Sequence, residues 1–318
     1  MVLPVILIIV GFVLLIKGAD LLVDGASDIA KKFHIPEIII GLTIVSIGTS
    51  MPELFVSTTS AIQGRSDMAM GNVIGSNVCN LLLILGLSTV IKPVKFQKET
   101  RLIEIPLCLT LTVIFMTLCN TGNGITRAKA ITLLVLFSLF IIYTIIMGKN
   151  ANKFDKEAQN TRGEDTTNIS MLKSIIYVIL GVIALKFGGD FTVDNAVIIA
   201  NHFNISEQVI SLTILAIGTS LPELVTSVTA AFKGNSDIAI GNIIGSNIFN
   251  MLLIIGVASI INPITYNIKY NIDMAILISG TILLALFPVI PPKNEMNRGN
   301  GLVYLAFYAM YMVILFNT

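Results

Sequence analysis

The sequence predicts an all-α membrane protein whose ten transmembrane helices form two inverted five-helix repeats. Three observations carry this. Of the 318 residues 54% are hydrophobic and only 12% charged, with a mean hydropathy of +0.87, a balance that excludes a soluble globular chain. Apolar runs of about 20 residues, the length needed to cross hydrocarbon, recur near 2–23, 36–62, 67–91, 101–119, 126–148, 171–197, 205–231, 237–262, 270–290 and 300–316. The chain also repeats itself: residues 41–80 set against 211–250 without a gap share 24 identities in 40, an offset of 170.

In chain order, residues 1–16 are apolar but lack a basic start and an A-x-A cleavage pattern, so they read as a first membrane helix and not a removed signal peptide. The second and third runs form the first repeated segment, about 36–91, and two further apolar runs complete the first half, 1–148. The one clearly hydrophilic stretch, Gly148 to Thr167, is charged, low in apolar content and without a core of its own, and sets the expected linker at 149–170. The second half, 171–318, holds the second repeated segment at about 205–262. The match extends upstream, where Gly18-Ala19-Asp20 answers Gly188-Gly189-Asp190 and Val23-Asp24 answers Val193-Asp194. Each half has five spans, an odd number, so the second copy enters the membrane from the opposite face. Inverted halves are the architecture of many secondary transporters, whose sites lie mid-membrane on interrupted helices.

Orientation follows from the basic residues. With both termini outside, the inside loops hold 14 of them: Lys31, Lys32, Lys92, Lys95, Lys98, Arg101, Lys149, Lys153, Lys156, Arg162, Lys173, Lys233, Lys293 and Arg298. The outside loops hold 4: Arg65, Arg127, Lys129 and Lys269. The expectation is a multi-pass protein of the cell membrane with outside termini and a cytoplasmic 149–170 linker.

Much else is uninformative. A net charge of +1 without a basic patch gives no reason to expect nucleic acid. Cys79, Cys108 and Cys119 lie in apolar runs without C-x-x-C spacing, so they read as small buried residues. No Ser-His, Cys-His or H-E-x-x-H pattern lies at membrane depth, which argues against an enzyme. Asp20, Asp24, Asp190 and Asp194, toward helix ends, read as solvated or paired, and Lys17 and Lys186 can snorkel. His34 and His202 read as surface residues and the methionines as packing. Asp67 and Asp237, each after a Ser and opening a helix, read as N-terminal caps.

The chemistry concentrates in Gly48-Thr49-Ser50-Met51-Pro52-Glu53 and Gly218-Thr219-Ser220-Leu221-Pro222-Glu223. A charged side chain at membrane depth costs several kcal/mol and marks a cavity, a partner or an ion path. Pro52 and Pro222 lack an N–H, so each frees a carbonyl near Gly48 or Gly218 and kinks its helix. Carbonyls, the Thr49, Ser50, Thr219 and Ser220 hydroxyls and the Glu53 and Glu223 carboxylates make an all-oxygen, doubly anionic cage. Such a cage suits a hard cation, and Ca²⁺, with its 6–8 flexible oxygen ligands, fits better than Mg²⁺.

Downstream, Ser76 and Asn80 are four apart, as are Ser246 and Asn250, so each pair shares a helix face and can turn toward the glutamates. Gly71 and Gly75, with Gly241 and Gly245, give the small-xxx-small spacing of closely packed membrane helices. Asn72, Asn77, Asn242 and Asn247 fit ligation and interhelical hydrogen bonding equally.

With those residues placed, the chain resembles the Na⁺/Ca²⁺ exchangers of the calcium/cation antiporter superfamily over essentially its whole length. The twin motifs G-T-S-x-P-E and G-N-x-I-G-S-N-x-x-N carry the resemblance. It implies a secondary antiporter that binds Ca²⁺ and Na⁺, has no prosthetic group and lies in the lipid bilayer, with a monomer as the expected unit. Carried over by position, the ion ligands are Ser46, Thr49, Ser50, Glu53, Ser76 and Asn80, with Ala216, Thr219, Ser220, Glu223, Ser246 and Asn250. Ser46 and Ala216 would offer backbone carbonyls. The second, third, seventh and eighth helices would surround the ions while the first and sixth slide across them. Three Na⁺ for one Ca²⁺ would move one net charge. Potassium-dependent relatives place Asp at position 250, so Asn250 points to K⁺ independence. Ca²⁺/H⁺ exchangers, the second reading, carry a different core motif and would need the site glutamates to take up and release protons. The short linker leaves no room for the large calcium-sensing domains of animal exchangers.

Overall fold

The computed structural model describes residues 2–122, 124–159, 170–203, 216–291 and 293–317, and they are helical almost throughout. Helix α1 is Val2–Phe33; α2 (Glu37–Thr49) and α3 (Met51–Ile62) form a pair bent by 50°. Then come α4 (Ser66–Ile91), α5 (Thr100–Asn120), α6 (Arg127–Gln159) and α7 (Met171–His202). A single helical turn, Ala216–Gly218, leads into α8 (Leu221–Lys233), followed by α9 (Ser236–Ile261), α10 (Tyr270–Leu286) and α11 (Arg298–Asn317).

Among the described residues eight helices are long and apolar enough to cross a membrane, and the bent pair α2/α3 makes a ninth. The span expected over 205–231 lies outside the described residues up to 215; its described part is the single turn and α8. Two sequence expectations fail. Residues 149–159, expected in the linker, continue α6 as helix, because this stretch is rich in Lys, Ala, Glu and Gln and has neither Gly nor Pro. The rest of that linker, 160–169, lies outside the described residues. Asp67 and Asp237 do not cap their helices. Arg65 and Asn235 occupy the cap positions without side-chain hydrogen bonds, and each Asp sits in the first turn, where its charge meets the positive end of the helix dipole. The Gln97 side chain donates to Asp237 Oδ2, tying that aspartate to the loop between α4 and α5 instead.

Burial sorts the helices into inner and outer. Of the most apolar stretch, 83% is buried in α9 and 72% in α4, against 22% in each of α1, α6 and α7. The two inner helices carry the G-N-x-I-G-S-N-x-x-N motifs, and the outer ones turn apolar side chains such as Ile9, Val13 and Ile179 outward, as a lipid-facing surface requires. Helices α1 and α7 run antiparallel in close contact. A Cβ at Gly18 would lie 2.9 Å from the Gly181 carbonyl, and one at Gly181 would lie 2.8 Å from the Gly18 carbonyl. Gly11 faces Gly188 in the same way, at 2.9 Å and 2.8 Å. Only glycine permits this approach, and the seam makes α1 and α7 one packing unit. Their buried side chains, among them Leu15, Leu22 and Leu185, form a cluster apart from the larger core around α4, α5, α9 and α10.

The loops gather at two ends. At one, β1 (Val94–Lys95) pairs antiparallel with β2 (Glu295–Met296), Arg101 reaches Asn294, and Lys233 pairs with Asp20 and Asp24. At the other, Ile125 bridges Ile264, Arg127 donates to the Ile260 carbonyl, and Asn120 and Asn271 exchange amide hydrogen bonds. The first end holds the lysine-rich loops. Cys79, Cys108 and Cys119 are buried and free, as their apolar surroundings imply.

Candidate cation site

Both glutamates are set by a break in the helix before them. Ser50 (φ −84°, ψ 10°) and Ser220 (φ −89°, ψ 7°) leave helical geometry, and a new helix begins at the next residue. The break thus falls at the serine, and Pro52 and Pro222 lie in the first turn of α3 and α8, where a missing N–H costs least. Glu53 and Glu223 share that first turn, so each carboxylate faces the positive end of a helix dipole.

The two breaks meet. Ser50 Oγ lies 2.8 Å from Glu223 Oε1 and 2.9 Å from Ser246 Oγ. Reciprocally, Ser220 Oγ donates to Glu53 Oε1 at 3.4 Å, and Ser76 Oγ approaches the same oxygen at 3.5 Å. Each carboxylate is therefore held by the other half's serine. Glu53 and Glu223 are 1% and 0% exposed, and among the described residues the ion pairs are Lys186–Asp190 and Lys233 with Asp20 and Asp24, none of them at the glutamates. A buried charge needs a partner, either a side chain or a bound ion.

The asparagines are ordered across the two halves. Thr49 Oγ1 donates to Asn242 Oδ1 at 3.0 Å, and Asn242 Nδ2 donates to Ser227 Oγ at 3.0 Å. The mates repeat this, with Thr219 Oγ1 to Asn72 Oδ1 at 3.4 Å and Asn72 Nδ2 to Ser57 Oγ at 3.0 Å. Asn80 Nδ2 donates to Asn247 Oδ1 at 3.2 Å and Asn250 Nδ2 to Asn77 Oδ1 at 2.9 Å. Asn80 and Asn250 also stand at the head of wider, π-helical turns, Cys79–Ile84 and Asn250–Ile254, a distortion frequent at functional sites.

Four buried oxygens are left without a hydrogen-bond partner here: Glu53 Oε2, Asn80 Oδ1, Glu223 Oε2 and Asn250 Oδ1. They are two symmetry-related pairs, one carboxylate and one amide from each half. Neutral and anionic oxygens without donors suit a hard cation.

Ten of the twelve expected ligands meet in this network through their side chains or neighbouring oxygens. Ser46 is buried on α2, its hydroxyl turned to the Thr43 carbonyl, while its own carbonyl accepts from the Ser50 N–H and lies 3.4 Å from Thr49 Oγ1. Ala216 opens the turn before α8. Ser57 and Ser227 were not singled out from the sequence. Each lies four residues after a repeat glutamate, on the same helix face, and that identical spacing was the available signal.

Residues 3–146 and 173–317 match the family described as sodium/calcium exchanger protein. CaxA of Alkalimonas amylolytica is 38% identical over 320 residues, covering 100% of both chains. The sodium/calcium exchanger MaX1 of Methanosarcina acetivorans is 31% identical over 344 residues, covering 98% of this chain and 97% of its own. The fold superposes on the sodium-calcium exchanger NCX_Mj, soaked with 2.5 mM Na⁺ and 0.1 mM Ca²⁺, with a TM-score of 0.85, 30% identity and 98% of each chain covered.

Proposed function

The chain belongs to the sodium/calcium exchanger protein family, a family of membrane transporters and not enzymes, and from that premise we propose that it exchanges Na⁺ for Ca²⁺ by alternating access. Ca²⁺ and Na⁺ are its cargo, and no prosthetic group takes part. The observation that carries the reading is the set of four unpartnered oxygens on Glu53, Asn80, Glu223 and Asn250, buried without a cationic side chain. The hydroxyls of Thr49, Ser50, Ser76, Thr219, Ser220 and Ser246 and the carbonyls of Ser46 and Ala216 complete the ligand set.

Coupling follows from sharing. The same two carboxylates serve both ions, so Ca²⁺ and Na⁺ loads exclude each other. Two carboxylates neutralise one Ca²⁺, whereas three Na⁺ leave one surplus charge, so the exchange is electrogenic and responds to membrane potential by about 2.3 kcal/mol per charge per 100 mV. Asn250 adds no further anion, which supports K⁺ independence. Ten spans in two inverted halves, 1–148 and 171–318, frame the site. The glycine seam supports movement of α1 and α7 as one body across it. The lysine-rich end, with the 149–170 segment, faces the cytoplasm and the termini lie outside.

Proteoliposomes test this. An outward Na⁺ gradient drives ⁴⁵Ca²⁺ uptake without K⁺, and an inside-positive potential accelerates it. Uptake driven equally well by a proton gradient without Na⁺ would replace the reading with Ca²⁺/H⁺ exchange. Uncoupled flux at channel rates would replace it with a pore.

A further inference from the structure

We propose that Asn77 and Asn247, which are not themselves ligands, fix the ligand amides of Asn250 and Asn80 so that oxygen and not nitrogen faces the ion. The inference rests on the site proposed above and adds positioning residues to it.

An asparagine amide is nearly symmetric in shape but opposite in charge at its two ends, so its value to a cation depends on which end points inward. Here the choice is forced. Asn77 Nδ2 donates to the Asn247 carbonyl at 3.2 Å, and Asn247 Nδ2 donates to the Asn77 carbonyl at 3.3 Å. Those carbonyls can only accept, so each of these two side chains must turn its oxygen the other way. Asn77 Oδ1 then accepts from Asn250 Nδ2 at 2.9 Å, and Asn247 Oδ1 from Asn80 Nδ2 at 3.2 Å. A flipped Asn250 would set its oxygen against the Asn77 oxygen and its N–H₂ toward the ion. As placed, Asn250 Oδ1 and Asn80 Oδ1 are the oxygens left unpartnered.

The four side chains are at most 2% exposed, so no bulk water substitutes for a lost bond. Each orienting residue belongs to the opposite half from the ligand it holds, and the pair Asn77 and Asn247 bond to one another's backbone. One defect is therefore felt across the interface between halves.

A double-mutant cycle on the purified full-length protein separates orientation from mere packing. Asn77→Ser removes the acceptor, frees the Asn250 amide to turn, and raises the Ca²⁺ Kd by about tenfold or more, as loss of an outer partner does at metal sites. In an Asn250→Asp background the same Asn77→Ser change shifts Kd less than about threefold, because a carboxylate presents oxygen whichever way it turns. The melting temperature in Ca²⁺-free buffer falls less in the Asn250→Asp background, where the hydrogen bond from position 250 to Asn77 Oδ1 is already lost. Equal Kd shifts in the two backgrounds, or none in either, overturn the inference. The mate cycle, Asn247→Ser with Asn80→Asp, reads the same quantity should an Asn77 variant fail to fold. Glu53→Gln is the control for the site: if it leaves Ca²⁺ binding intact, the site reading fails. If it removes binding while Asn77→Ser does not weaken it, only the orientation inference fails.

Discussion

Position for position, the two halves agree around the glutamates and part company where α1 and α7 meet the rest of the chain. Thr49 with Asn242 and Thr219 with Asn72, Asn80 with Asn247 and Asn250 with Asn77 are the same bonds seen from opposite faces. At the lysine-rich end, Lys233 of α8 pairs with Asp20 at 3.1 Å and Asp24 at 2.7 Å, and Ser27 Oγ donates to Glu37 Oε1 at 2.6 Å. The mates of those residues cannot repeat this: Gln63 stands opposite Lys233 and Val197 opposite Ser27, while Asp190 pairs within its own helix with Lys186 at 2.8 Å. On the proposed reading, symmetry is kept where both halves supply ligands to one shared set of ions. It is relaxed where each end of the molecule meets a different compartment.

The largest effect tests the symmetric region. Glu53→Gln and Glu223→Gln each remove one of two buried charges, and losing one member of a buried charge pair costs about 3–5 kcal/mol, at least roughly a hundredfold in ion affinity. Both variants should abolish Na⁺-driven ⁴⁵Ca²⁺ uptake to the same degree. A variant that retained uptake while its mate lost it would show that the halves are alike in geometry but not in role.

How far this agreement was legible differs from residue to residue. The offset of 170, the two glutamates and the helix breaks stand in the sequence because a proline beside a carboxylate in an apolar run has few other meanings. The roles of Asn77 and Asn247 do not, since helix periodicity tells which residues share a face of one helix and not which meet across two. The inverted repeat held a clue, as a residue near the symmetry axis must face its own mate, and these two do. Asp67 and Asp237 misled because Ser-Asp suits both a cap and a first turn, and only backbone angles separate them. The continuation of α6 to Gln159 was hidden by polarity: composition ended the apolar run at 148, but helix propensity did not end there.

A medium effect is expected from exchanging the unlike residues. The Lys233 side chain is 28% exposed and Asp24 54%, so solvent screens the pair and Lys233→Gln should cost about 1 kcal/mol or less in stability. Its effect on access should be clearer, because the pair joins the α1/α7 unit to the inner helices. A bias of about 1 kcal/mol changes a two-state ratio roughly fivefold. Lys233→Gln and Gln63→Lys act at opposite ends. The ratio of Ca²⁺ KM values measured in right-side-out and inside-out vesicles should therefore move in opposite directions for the two. Shifts in the same direction would mean that the ion pair serves stability alone.

The smallest effect concerns Ser27. Replacing it by valine, the residue its mate already has, removes one hydrogen bond to Glu37, and a net hydrogen bond contributes about 1 kcal/mol. Glu37 is only partly buried and can be rehydrated, so the melting temperature should fall slightly or not at all. The variant is informative in company. Lys233 and Ser27 pin the same helix to two different neighbours, α8 and the start of α2, so either tether still restrains α1 when the other is lost. The double variant Lys233→Gln with Ser27→Val should shift the sided KM ratio by more than the two single shifts combined. Strict additivity would mean that the two contacts restrain α1 independently of one another.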